Sequence, residues 1–137
     1  MMLSEIIDDI IERLAAASIF PVYSAFDARS LDRKGSGFFT VVGISSFESS
    51  QPIYSPYTVY IPFKTELELS ITAPQGSTAE ELYNFYDTGI APVIFDMSGL
   101  TCRLSKMSIK TDSSISRLVL GVKLSASGIT KIGRSNV

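Results

Sequence analysis

The chain has no histidine, no tryptophan and a single cysteine among its 137 residues. Without histidine there is no Ser-His-Asp or Cys-His machinery, and no side chain whose ordinary pKa lies near neutrality. Cys102 alone cannot close an internal disulfide, and without histidine it cannot supply the nitrogen and sulfur ligands of a zinc site. Charged side chains are scarce at 19%, against roughly 25% in an ordinary soluble domain. Long apolar runs are missing too. The stretches around 14–23 and 90–95 are broken by Ser18, Pro21 and Pro92, well short of the roughly 20 residues of a membrane-spanning helix. Glu5, Asp8, Asp9 and Glu12 stand where a secretory signal would need a basic flank and an apolar run. The expectation is a protein with no membrane partner, cytoplasmic when synthesised.

What is present is enough to fold. Hydrophobic residues make up 45% and the mean hydropathy is +0.25, so a single domain spanning 1–137 can fill a core. A chain this apolar also suits a surface hidden in a partner. Charge is unevenly placed: residues 1–100 hold 13 acids and 5 bases, a net of −8, whereas 101–137 hold 1 acid and 7 bases, a net of +6. Either the solvent-facing strand positions at the C-terminal end are simply basic, or acidic and basic surfaces meet between subunits, which favours head-to-tail contact. A pI near 5.1 with no recognition motif argues against sequence-specific nucleic-acid binding.

Leu3, Ile6, Ile7, Ile10, Ile11 and Leu14 form one apolar stripe at helical spacing, which predicts a helix over about 3–17, closed near Pro21. Its acidic residues crowd toward the N-terminal end, where the helix dipole favours them. A short strand over 22–26 is expected, then a mobile polar loop over about 27–37. Residues 38–47 read as a strand buried on both faces or bent at Gly43, and 57–63 with 66–72 as one long bent strand or two. Ser77 followed by Glu80 is a capping box opening a second helix over about 78–88, stopped by Gly89. Residues 90–95, with Pro92, read as a short extended piece. A closing hairpin follows, its first strand bulged near Ser105 or Lys106 and its tip at 112–114, with fraying from about 129. The hairpin predicts Arg103 and Lys123 on one outer face with Glu66 or Glu68 beside them. The order of elements is that of an α+β domain. Two helices pack on a sheet of about five to six strands, mainly antiparallel with room for mixed pairing.

Catalytic groupings are thin. Asp8/Asp9 and Glu80/Glu81 are adjacent on helices and point apart, and Glu66/Glu68 share a strand face that reads as solvated. Arg33-Lys34-Gly35-Ser36-Gly37 lacks the spacing of a phosphate-binding loop, and a loop that orders against a neighbouring subunit, or a plain solvent loop, explains it better. Cys102 lies on the inward parity of its strand, as a structural thiol does. Tyr54, Tyr57 and Tyr60 with Phe63 make an aromatic run better suited to strand packing or a subunit contact than to stacking on bases. No cofactor or metal is expected.

Several segments together resemble the small tail-terminator and neck (head-tail joining) proteins of tailed bacteriophages and prophages. They are the acidic N-terminal amphipathic helix, the Pro21-Val22-Tyr23 strand entry, and the run Glu68-Leu69-Ser70-Ile71-Thr72-Ala73-Pro74. Glu81-Leu82-Tyr83-Asn84-Phe85-Tyr86 and the closing strand at Arg117-Leu118-Val119-Leu120 complete the pattern. The resemblance implies a non-enzymatic structural protein that assembles as a hexameric ring on the tail tube, stops its growth and meets the head connector. Its place would be the host cytoplasm during assembly and then the virion tail. On that footing the inter-subunit or tube contacts fall on loop 27–37, on connection 45–56 and on the basic hairpin. The residues expected there are Arg29, Arg33, Lys34, Tyr54, Tyr57, Arg103 and Lys123. A tube subunit, a head-completion protein, or an unrelated small ligand-binding domain using Tyr, Ser and a carboxylate remain alternatives.

Overall fold

A computed structural model describes residues 3–17, 22–24, 37–114 and 116–134. Helix α1 (Leu3–Ala16) buries Ile6, Ile7, Ile10 and Leu14, while Asp9 pairs with Arg13 one turn on at 3.1 Å. The strands are β1 (Val22–Ser24), β2 (Phe39–Ser49), β3 (Ile53–Tyr54), β4 (Thr58–Thr72), β5 (Leu100–Asp112) and β6 (Arg117–Gly133). They form one six-stranded sheet in the order β1-β2-β4-β6-β5, with β3 added to the end of β4. Only β1 with β2 is parallel, so the sheet is mixed and the fold is α+β. The expected strand over 22–26 is described as far as Ser24, and the expected loop at 27–37 lies outside the described residues except for Gly37.

Strict alternation sets the core. Odd residues of β4 and even residues of β6 meet in rows, Leu67 with Leu124, Leu69 with Val122 and Ile71 with Leu120, all buried under the helices. Each such side chain contributes about 1.5–3 kcal/mol by leaving water. β4 is a single continuous strand through Pro62, which a central strand would ordinarily reject. Its carbonyl accepts from the amide of Ser50 at 2.8 Å, so the donor it lacks would also have faced the β2 side. There β2 has just ended opposite Phe63 and β3 has not begun, and no strand partner is denied a bond.

The second helical segment departs from the expectation. Helix α2 (Ala79–Phe85) is capped by Thr78, whose hydroxyl accepts from the amide of Glu81 at 3.2 Å, one residue beyond the expected Ser77–Glu80 box. Gly89 does not stop it, and 90–95 is not extended. A π-helical turn (Tyr86–Ile90) leads directly into helix α3 (Ala91–Ile94). Leu82, Tyr86, Ile90 and Ile94 recur every four residues, and all are buried. Four residues of α-helix overshoot a full turn by about 40°, so three such steps would rotate the stripe away from the sheet. The wider π turn absorbs that drift, and Pro92 falls in the first turn of α3, where its missing donor costs little.

β5 pairs with β6 and bulges between Leu104 and Lys106, and β2 bulges between Ile44 and Ser46. The hairpin tip is fixed by Asp112, which accepts from both the amide and the hydroxyl of Ser114, bonds that hold its carboxyl below the usual range. Residues 129–133 do not fray from the sheet. They extend β6 along residues 58–62 of β4. Gly128 has to be glycine, because a Cβ there would lie 2.6 Å from the carbonyl oxygen of Gly99 and 2.9 Å from the ring of Phe63.

Candidate interaction surface

One sheet face carries the helices and the other carries none of them. Across the bare face, row by row from β5 to β2, run Lys106, Lys123, Glu68 and Gly43, then Arg103, Ser125, Glu66 and Ser46, then Thr101, Ser127, Lys64 and Glu48. Small and charged side chains suit a surface left to water. Lys123 reaches Glu68 at 3.5 Å and Glu66 at 3.8 Å, as the sequence predicts, and Ser45 donates to Glu66 at 2.8 Å. The bulge at Ser105 sets Lys106, not Arg103, directly opposite Lys123. Lys123 is therefore answered within its own chain, and Arg103 faces Ser125. Arg29, Arg33 and Lys34 lie outside the described residues.

At one end β3, the start of β4 and the end of β6 project as a three-stranded tongue. Tyr54 and Tyr57 are 68% and 70% exposed there, joined by Ile53, Ile129 and Ile132. Arg134 holds the tip together. Its amide donates to the carbonyl of Tyr57 at 2.8 Å, its Nη1 donates to the carbonyl of Ser55 at 2.7 Å, and its guanidinium lies 5.4 Å from the Tyr54 ring centroid. The sequence reading named the two tyrosines but missed the isoleucines. The β-branched run Ile129-Thr130-Lys131-Ile132 was the signal that could have found them.

At the opposite end Arg117 is buried. Its Nε donates to the carbonyl of Ala73 at 2.6 Å, its Nη2 donates to the carbonyl of Gly37, and its guanidinium lies 5.2 Å from the Phe39 ring centroid. This ties the start of β6 to the end of β4 and the entry to β2. Cys102 is half-buried, and burial pushes its thiol pKa up, away from the thiolate a nucleophile needs. Among the described residues no three His, Cys, Asp or Glu side chains gather as a metal site would require, and no helix is long and apolar enough to cross a membrane.

The sheet thus defines an α+β protein with a bare polar face, an exposed apolar tongue and open strand edges. No protein-family model and no curated protein matches the chain. Among solved structures, the type 4 fimbrial biogenesis protein PilO from Pseudomonas aeruginosa aligns at 10% identity, with a TM-score of 0.27, over 96% of this chain and 69% of that one. The core region of PilO from the type IV pilus system of the same organism aligns at 11% identity, with a TM-score of 0.24, over 77% and 90% respectively. Scores this low do not establish a shared fold.

Proposed function

We propose that this chain is a non-enzymatic structural protein of a phage or prophage tail, capping the tail tube as a ring and joining it to the head connector. The observation that carries the reading is the tongue. Ile53, Tyr54, Tyr57, Ile129 and Ile132 are all exposed on one projection, Ile53 and Ile129 on one of its faces and Tyr54 and Ile132 on the other. Apolar side chains left in water at one end of a sheet suit a protein contact. The resemblance of the sequence segments to tail-terminator and neck proteins supplies the particular role. The partners are then further copies of the chain, the tube protein and the connector, met in the host cytoplasm and kept in the virion tail.

The test is the DNA on either side of the gene. Portal, connector and tail-tube genes are the expected neighbours, and a metabolic operon in their place would overturn the proposal. In a phage bearing the gene, its deletion is expected to give tubes of uncontrolled length and unjoined heads, and normal joined tails would count equally against it.

A further inference from the structure

We infer that copies of this chain join head to tail, the free edge of β5 against the open half of β2 in the next copy. The inference takes from the proposed function only the premise of self-assembly. Among the described residues, β5 pairs with β6 alone, so its other edge has no strand partner from Leu100 to Asp112. On the far side of the sheet, among the described residues, β1 covers β2 at residues 40–42, and residues 43–49 pair with β4 alone. Among the described residues each copy therefore offers two strand edges with unpaired backbone groups, and such edges recruit further strands.

The two edges carry opposite charge. β5 sets the exposed Arg103, Lys106 and Lys110 on the bare face. At the other edge, α1 lies over β1 and β2 and turns the exposed Glu5, Asp8 and Glu12 away from the core, while β2 itself carries exposed Glu48. β5 is thus a basic edge of the sheet, and the edge at α1 and β2 an acidic one. Pairing β5 with its own copy would bring arginine and lysines together and is disfavoured, whereas pairing it with β2 sets Arg103 near Glu48 on the bare face, the acids of α1 lying over the other face.

Register agrees on both faces. β5 and β2 run in opposite directions, because β5 is antiparallel to β6, β6 to β4 and β4 to β2. For a neighbour set at the same height, the row through Leu104, Leu124, Leu67 and Ile44 continues as Leu104 beside the neighbour's Ile44. The row through Cys102, Ala126, Thr65 and Phe47 sets Cys102 beside the neighbour's Phe47. Leu104 and Phe47 are 45% and 40% exposed in the single chain, and the joint covers both. On the bare face Thr101 meets Glu48, and Arg103 lies on the diagonal from it. The contact is heterologous. Every open row keeps one free edge of each kind, and only closure into a ring satisfies both.

The experiment uses exposed positions in a full-length chain with Cys102→Ser. A chain carrying both Glu48→Cys and Thr101→Cys is expected to give a ladder of disulfide-linked oligomers on mild oxidation. A mixture of the two single variants should stop at covalent dimers. In chains that keep Glu48 and Thr101, Arg103→Glu with Lys106→Glu is expected to abolish the oligomers seen by sedimentation without lowering the thermal midpoint, and mixing them with Glu48→Lys copies should restore association.

Covalent dimers of Thr101→Cys alone would establish β5-to-β5 pairing and overturn the inference. A chain that stays monomeric and uncrosslinked would overturn it too, as would crosslinking only to a different protein. None of these outcomes bears on the genes beside this one, so the phage proposal and the edge joint fail separately.

Discussion

Tyr86 concentrates the physics of single residues. It is 3% exposed, and its hydroxyl has no hydrogen-bond partner among the described residues. Burial, and after it the charges of Asp87 and Cys102, raises its pKa above the ordinary 10.0. The unfolded phenol ionises first, so this group's contribution to stability is intact below about pH 10 and falls as pH climbs toward the folded value. Tyr86→Phe removes the orphaned hydroxyl while keeping the ring that fills the core. It is expected to stabilise the fold by about 1 kcal/mol at pH 7 and to flatten the fall in stability above pH 10. Urea titrations at pH 7 and pH 10.5 measure both, and a loss of stability at pH 7 would mean the hydroxyl has a partner. Arg117 shows the opposite economy, a buried charge kept because two backbone carbonyls and an aromatic face receive it. Nothing in the sequence around Arg117 marks it, since its acceptors are carbonyls that any residue could supply.

At the level of elements, legibility followed periodicity. The α1 stripe and the alternation of β4 and β6 could be read directly, because each buries one face and leaves the other to water. The bulge near Ser105 was legible as a change of parity between Leu104 and Met107. Helix ends were less so. Ser77 and Thr78 both suit a cap, with Glu80 and Glu81 both available three residues on, and local chemistry cannot choose between them. The π turn was hidden because Gly89 and Pro92 look like breakers, while the spacing of four through Leu82, Tyr86, Ile90 and Ile94 carried the contrary signal. The tongue was misread as fraying because its cover is a neighbouring strand rather than a helix. That difference is measurable by hydrogen exchange. Amides of 65–72 and 119–126 should exchange slowest, and those of 58–62 and 129–133 faster by at least roughly tenfold, since the buried rows lie in the first set. Uniform protection along β4 would contradict this.

For the whole molecule the governing fact is that β4 sits at the centre of the sheet and takes its longest partner, β6, from the far end of the chain. The second helical segment and β5 must be made before that pairing can form, so loop closure precedes most of the stabilising contacts. Refolding is therefore expected in the millisecond-to-second range, not in microseconds, and stopped-flow dilution from urea checks it. The bipolar distribution of charge belongs to the same scale. It was legible as a count along the sequence, but its meaning depended on strand order, which sequence periodicity does not reveal. Arg103, with Lys106 and Lys110, which the sequence reading did not single out, lies on the edge strand. Lys123, which it did, lies one strand inward and is occupied by Glu66 and Glu68.

The tongue has a mechanical consequence. Both of its long strands run without a break into the buried rows, β4 from Thr58 to Thr72 and β6 from Arg117 to Gly133. A pull applied at the tip therefore travels along two covalent backbones before any packing is loaded. Once there, it shears many ladder bonds at once instead of unzipping them in turn. The projection behaves as a handle forged in one piece with the body.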